Sequence, residues 1–401
     1  MAPTRSQSQS DIVLLEGART PMAEYNGVFS EVSAIDLGVH AAAEALRRSG
    51  VEPAEVDHVI FGNVMQTSGD AVYGARHVAL KAGVPKEVPA LTVNRLCGSG
   101  FEAIVQGAHR ILLGEAKTVL AGGMENMTQA PHVIRGARRG FRMGQGQLED
   151  SLMVALLDSY CGLYMAQTSD RVAQKYGISR GEQDDYALSS QRRAAEAWAA
   201  CRLSEEVVPI EVKSGRKTLR VERDDHMRPD STREGLAALP PSFGKDGSVT
   251  AGNASGIVDG AAALVVTSAA EAAAKGRRPL GRLVSWGVVG VEPELMGLGP
   301  APAARQALGR AGLTMEDIEL WEINEAFAGQ ILGVIRELGL DPERLNVNGG
   351  AIALGHPLGA TGARLTLTLL KEMRRRGVRY GLAGACIGGG QGIALVLESA
   401  A

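Results

Sequence analysis

AEALRRSGVEPAEVDHVI (43–60) returns later in the chain as RQALGRAGLTMEDIELWE (305–322), and this echo decides the fold. Leu46, Gly50, Val56 and Val59 fall opposite Leu308, Gly312, Ile318 and Trp321. Each copy reads as an amphipathic helix, a glycine closing its last turn, an acidic turn and a buried strand. At the same spacing Leu120-Ala121-Gly122 meets Leu382-Ala383-Gly384, and at a shifted one LTVN (91–94) meets LNVN (345–348). Three matches in one order mark a duplicated chain. Strands alternating with helices in both copies predict an α/β fold with mostly parallel sheets, covered by helices on both faces.

Between the copies the texture changes. Residues 127–257 carry more charge, more Met and long polar helices. The stretch 169–202 reads as two helices broken at Gly177, with Ser179 as N-cap and Glu182 closing a capping box. Strand character returns at AAALVVT (261–267). The expected division is therefore 1–126 plus 258–276 as one half, 127–257 as an insertion, and 277–401 as the other half.

Composition narrows the function. A chain of 401 residues with 45% hydrophobic and 22% charged residues is an ordinary globular one with room for two or three domains. Net charge of −3 and 4% aromatics argue against nucleic acid as a partner. Cys97, Cys161, Cys201 and Cys386 form no disulfide framework and no zinc spacing, so no metal is expected. No apolar run reaches the 18 or so residues of a membrane span. The opening MAPTRSQSQS reads as a polar tail without a signal-peptide core, and a soluble, reducing, cytoplasmic setting is expected. The 51 glycines cluster instead of repeating, a mark of tight turns and close backbone approach.

Four clusters carry chemical promise. In LTVNRLCGSGFEAIVQGAHRILLGE (91–115) a strand turns sharply into a helix and leaves Cys97 near the helix N-terminus, where the dipole favours a thiolate; a small core cysteine is the ordinary alternative. In NVNGGAIALGHPLGATGARLTLTLL (346–370) five glycines surround His356, and a helix begins near Gly362. In RYGLAGACIGGGQGIALVLES (379–399) a strand ends at Cys386 and a glycine run exposes N–H groups to an oxyanion or phosphate. In WEINEAFAGQ (321–330) Asn324 sits at a strand-to-helix switch, where it serves equally well as an N-cap.

Together NRLCGSG (94–100), GGMENMTQAP (122–131), VTAGNASGIVDGAAA (249–263), NEAF (324–327), NVNGGAIALGHPLGATG (346–362) and ACIGGGQG (385–392) resemble the thiolase family, from about Asp11 to the C-terminus. The resemblance implies the thiolase fold: two similar βαβαβ halves in layered α/β sheets with a loop domain inserted in the first. It implies reversible thiolysis of 3-ketoacyl-CoA, with CoA as co-substrate and no permanently bound cofactor. Cys97 is then the acyl-accepting nucleophile, His356 its base, and Cys386 the acid/base at the α-carbon, a thiol's ordinary pKa being about 8.5. One oxyanion hole is implied at His356 with a water held by Asn324, the other at the backbone N–H groups of Cys97 and Gly388. The implied CoA contacts are Leu156, Met165, Arg228, Phe243, Ala251, Ala254, Ser255, Ala326 and Phe327. A homodimer or homotetramer is implied, with GARRGFRMG (136–144) where relatives form tetramer loops.

One departure bears on substrate. Biosynthetic acetoacetyl-CoA thiolases carry His-Met-Gly where this chain has Tyr164-Met165-Ala166. The segments 62–83 and 148–170 are closer to 3-ketoacyl-CoA thiolases of fatty-acid oxidation, the mitochondrial type in particular. Loss of the His suggests room for a longer acyl chain. The alternatives are a dedicated acetoacetyl-CoA thiolase and, more remotely, a thiolase-shaped lipid-binding protein without activity.

Overall fold

A computed structural model describes residues 11–400, so the polar tail read at the start lies outside the described residues. A mixed sheet carries both copies. Its strands lie in the order Leu320–Ile323, Tyr380–Ile387, Gln391–Ser399, Gly281–Gly290, Ile12–Arg19, Val258–Ser268, Thr118–Glu125, His58–Gly62 and Ala90–Val93, with Ala23–Glu24 paired to Val258–Ser268 off this path. Outward from the Ile12–Arg19/Gly281–Gly290 junction both directions meet the same succession of elements. Thr118–Glu125 and Tyr380–Ile387 are the same eight-residue strand in the two copies.

The expected parallel character holds only at the two arms. Leu320–Ile323 with Tyr380–Ile387, and His58–Gly62 with both its neighbours, are parallel; the five central pairings are antiparallel. The reason is local. Tyr380–Ile387 is followed at once by the Gly388–Gly390 turn and Gln391–Ser399, and so short a connection can only reverse the chain. Val258–Ser268 likewise runs against Thr118–Glu125.

Alternation along the strands builds the layers. Ile12 and Leu14 face one core with Leu264, Leu283 and Leu395, while Val13 and Leu15 face another. The first core holds the helices Ser99–Leu112 and Thr361–Arg376, equivalent in the two copies and packed on each other. Their close approach needs glycine: a Cβ on Gly100 would lie 2.6 Å from Ala363 N, and one on its counterpart Gly362 would press into Phe101 N. The outer faces are covered by Ala34–Ser49 and Gly74–Lys81 on one half, and by Pro300–Ala311 and Ala328–Leu338 on the other.

LNVN does not become a full strand. Trp321 and Leu345 form a single parallel bridge, and Asn346 then turns to φ +48°. Its side chain takes over the pairing, accepting the Ile323 N–H at 2.9 Å and donating to Ile323 O at 2.9 Å. Within 127–257 the helices Met165–Tyr176 and Arg180–Ala199 break at Gly177, and Ser179 and Glu182 form the expected capping box. The first helix begins at Met165, four residues before the stretch that suggested it. Buried Arg19 ties the segment 206–224 to the sheet through Asp224 (2.6 Å) and Glu206 (2.9 Å).

Candidate active site

Cys97 stands on a strained turn. Leu96, just before it, has φ +45°, a region that costs a branched residue about 1–3 kcal/mol. Three local bonds hold that turn: Asn94 Oδ1 accepts the Leu96 N–H (3.0 Å), and Ser99 Oγ accepts the Arg95 N–H (2.8 Å) while donating to Leu96 O (2.7 Å). The helix starts at Ser99, two residues beyond the thiol. Cys97 is only partly exposed, and burial pushes its thiol up to about 11. The N–H groups of Gly388 and of Cys97 itself bond the sulfur and pull the other way, while buried Glu125 adds to the rise. The resting group is therefore a thiol.

Cys386, one residue from the end of its strand, is buried with Met296 and Ala326 and flanked by Met165 and Phe327. Burial drives its thiol far up, and the neighbouring Cys97 sulfur raises it further. The two cysteines thus sit close enough to sense each other's charge.

His356 is held on three sides. Its N–H donates to Gly256 O (2.9 Å), its Nδ1 lies 2.6 Å from Thr361 Oγ1, and its Nε2 lies 3.3 Å from Asn324 Nδ2. The Thr361 hydroxyl gives its one proton to Pro357 O (3.0 Å), so it accepts from Nδ1–H, and the unprotonated Nε2 accepts the Asn324 amide N–H, a contact it exchanges when it takes a proton. Burial, and then the positive charge of Arg364, push the imidazole down to about 3, so it is neutral at working pH. Asn324 continues its strand by donating N–H to Gly384 O (2.9 Å). It is not an N-cap; Phe327 fills that position for Ala328–Leu338. Its Oδ1 is buried without a partner among the described residues, an acceptor free for a water.

Beside these groups lies an apolar cleft of about 130 Å³. Six of the expected CoA contacts line it: Leu156, Met165, Phe243, Ala254, Ser255 and Phe327, joined by His356. Ala326 packs beneath with Cys386. Arg228 and Ala251 line a second, more polar cleft; residues 251–252 face it, while 254–257 of the same loop line the first. There the Arg228 guanidinium is already engaged by Glu24 (2.5 Å) and the carbonyls of Asp225, His226 and Met227.

Residues 12–270 match the family model for the thiolase N-terminal domain, and 277–399 the thiolase C-terminal domain. The chain belongs to the thiolase family. It is 50% identical to the mitochondrial 3-ketoacyl-CoA thiolase of Homo sapiens over 393 residues, 97% of this chain and 98% of that one. It is 47% identical over 392 residues to the acetyl-CoA acetyltransferase of Rhizobium meliloti, covering 98% and 99%. The crystal structure of the human mitochondrial enzyme in complex with CoA superposes with a TM-score of 0.95 at 49% identity, over 99% of this chain and 100% of that one.

Within this thiolase three features escaped the sequence. Thr361 lies inside a quoted motif, yet only the fold shows it gripping His356. Met127 and Leu358 wall the cleft and pack with Cys97, a contact no local pattern announces. Tyr164 does not leave open room: its ring packs against Phe243 (centroids 5.2 Å apart) and forms cleft wall. Among the described residues no group of three or more His, Cys, Asp or Glu is placed to hold a metal ion, and no helix is long and apolar enough to cross a membrane.

Proposed function

We propose that this thiolase cleaves 3-ketoacyl-CoA with free CoA, releasing acetyl-CoA and an acyl-CoA shortened by two carbons, and runs the reverse condensation at the same site. The observation that carries the proposal is the convergence of Cys97, Cys386, the Gly388 N–H and the His356–Asn324 pair beside one apolar cleft. Cys97 attacks the 3-keto carbon as His356 Nε2 takes its proton, and the oxyanion forms at the Cys97 and Gly388 N–H groups. Carbon–carbon cleavage leaves an acetyl-CoA enolate, stabilised on the His356 and Asn324 side, and Cys386 protonates its α-carbon. The CoA thiol then gives its proton to the Cys386 thiolate and attacks acyl-Cys97, and the expelled Cys97 thiolate recovers its proton from His356, which restores all three groups. A neutral thiol–imidazole pair suits this sequence, because charge separates only when substrate supplies an acceptor.

CoA as co-substrate is supported by the CoA complex of the human relative and by the loop 251–257, which contributes residues both to the apolar cleft and to the polar one lined by Arg228 and Ala251. The broad 3-ketoacyl preference rests on the apolar wall of Met127, Leu156, Ile257 and Leu358. The Tyr164–Phe243 pair favours the second reading, a short-chain acetoacetyl-CoA thiolase, because it narrows that wall. Fatty-acid oxidation, a cytoplasmic location, an assembly of two or four copies and an insertion at 127–257 belong to the same proposal. Exposed Val72, Tyr73, Leu91 and Leu113, with the open-edged strand Ala90–Val93, support the assembly. Thiolysis of acetoacetyl-CoA and 3-ketooctanoyl-CoA, with Cys97→Ala as blank, tests the substrate through the ratio of kcat/KM. A higher value for the longer ketone is expected; turnover confined to acetoacetyl-CoA selects the second reading.

A further inference from the structure

Glu322 and Arg364 form a buried pair that none of these steps uses. Strand alternation turns Leu320, Glu322 and Asn324 toward the helix Thr361–Arg376, while Trp321 and Ile323 enter the opposite core. Arg364 lies one helical turn after Thr361, and its Nη1 is 3.8 Å from Glu322 Oε2, with both side chains 2% exposed. Neither Glu322 oxygen, and neither Arg364 Nη, has a hydrogen-bond partner among the described residues. Such a pair is a poor source of stability, because dehydrating the Arg364 cation costs more than a long contact to a carboxyl that burial holds protonated below about 8 returns. Its placement is informative. Glu322 is two residues from Asn324 and Arg364 three from Thr361, the two side chains that hold the imidazole of His356.

We propose that Arg364 is a positioning residue of the acyl-transfer site: paired with Glu322, it holds the strand bearing Asn324 against the helix bearing Thr361, and it presents a buried positive charge to His356 and to the enolate formed there. The inference rests on the thiolase reading above. Arg364 is the charge that acts on His356 after burial itself, in the direction that keeps the imidazole neutral. The other charges acting on Arg364 are Glu206, Arg19 and Glu325, and Glu206 is shared with Arg19 and Thr368. Around His356, Glu125 takes the Gly359 N–H and His226 packs on Gly256. Cys97 lies beside Leu358, and Cys386 beside Phe327.

The test compares pH profiles of thiolysis for the wild type, Arg364→Gln, Arg364→Lys and Glu322→Gln. Arg364→Gln is expected to lower kcat about tenfold to a hundredfold with KM for CoA changed less than about twofold. Its acid limb in kcat/KM moves to higher pH, since His356 protonates more readily without the cation. Arg364→Lys returns the limb toward wild type, and Glu322→Gln, which replaces a carboxyl that burial already holds protonated across the acid range, leaves it in place. A folded Arg364→Gln enzyme with wild-type kcat and acid limb overturns the proposal. Should that variant not fold, the neutral pair Glu322→Gln/Arg364→Gln carries the same test, and a wild-type limb there overturns it equally. Intact-mass detection of acyl-Cys97 in the wild type separates the two levels. No adduct defeats the thiolase reading itself, whereas an adduct with unaltered variants defeats only the role of Arg364.

Discussion

Cys97 combines a strained approach, two N–H groups aimed at its sulfur and a neutral histidine nearby, so its reactivity depends on substrate and not on a preformed thiolate. Two predictions follow at this scale. With the thiol pushed up to about 11, alkylation of Cys97 by iodoacetamide keeps rising with pH through 9. Peptide mapping across pH 6–10 checks this, and a plateau below pH 8 contradicts it. Thr361→Val removes the acceptor that sets the His356 tautomer, and kcat should fall roughly tenfold to a hundredfold while the fold survives. Most of the converging residues were legible in the sequence, because Cys97, His356 and Gly388 lie in glycine-rich turns and Asn324 and Cys386 at the ends of strands. Arg364 was not. A basic residue inside an amphipathic helix ordinarily faces water, and only the packing of this helix against the first copy puts it inside. Arg228 and Ala251 belong to the second cleft for a related reason: sequence nearness to Ser255 does not tell which side of the loop a side chain takes.

At the level of elements, the helices Ser99–Leu112 and Thr361–Arg376 bring both halves of the site together, one following Cys97 and the other carrying Thr361 and Arg364. Gly362→Ala should push them apart where a Cβ meets Phe101 N, costing about 1–3 kcal/mol or more as overpacking. Urea unfolding measures the loss, and unchanged stability would show that the pair yields. The repeat of helix, turn and strand was readable because apolar spacing and closing glycines survive in both copies. Strand direction was not, since alternation of element types is equally compatible with hairpin returns. The Gly388–Gly390 turn, read for its N–H groups, also reverses the chain, and Asn346 replaces a backbone ladder with its own amide.

Over the whole molecule, buried acids set the response to pH. Burial raises Asp259 to about 6, Glu125 to about 7 and Glu322 to about 8, above their ordinary values near 4. The folded chain therefore holds protons that the unfolded chain has released, and this stability is lost as pH rises from about 4.5 through 8. The raised thiols of Cys97 and Cys386 extend the loss to higher pH. His356 acts oppositely, adding stability as pH climbs from about 3 to 6.5. The melting temperature should thus fall by several degrees between pH 6.5 and 9, less so in Glu322→Gln, and a flat profile by scanning calorimetry would contradict it. Light scattering should return a multiple of the 42.0 kDa chain mass; the single-chain mass would refute the proposed assembly. The central claim is that two copies of one α/β unit meet to make a single acyl-transfer site at Cys97. Its most direct test is intact-mass and peptide spectrometry after brief exposure to 3-ketooctanoyl-CoA without free CoA. The account predicts an octanoyl-chain fragment shortened by two carbons on Cys97 in the wild type and in Cys97-retaining Cys386→Ala at a reduced level, and none in Cys97→Ser. An unmodified Cys97, or an acyl group borne by another residue, would contradict it.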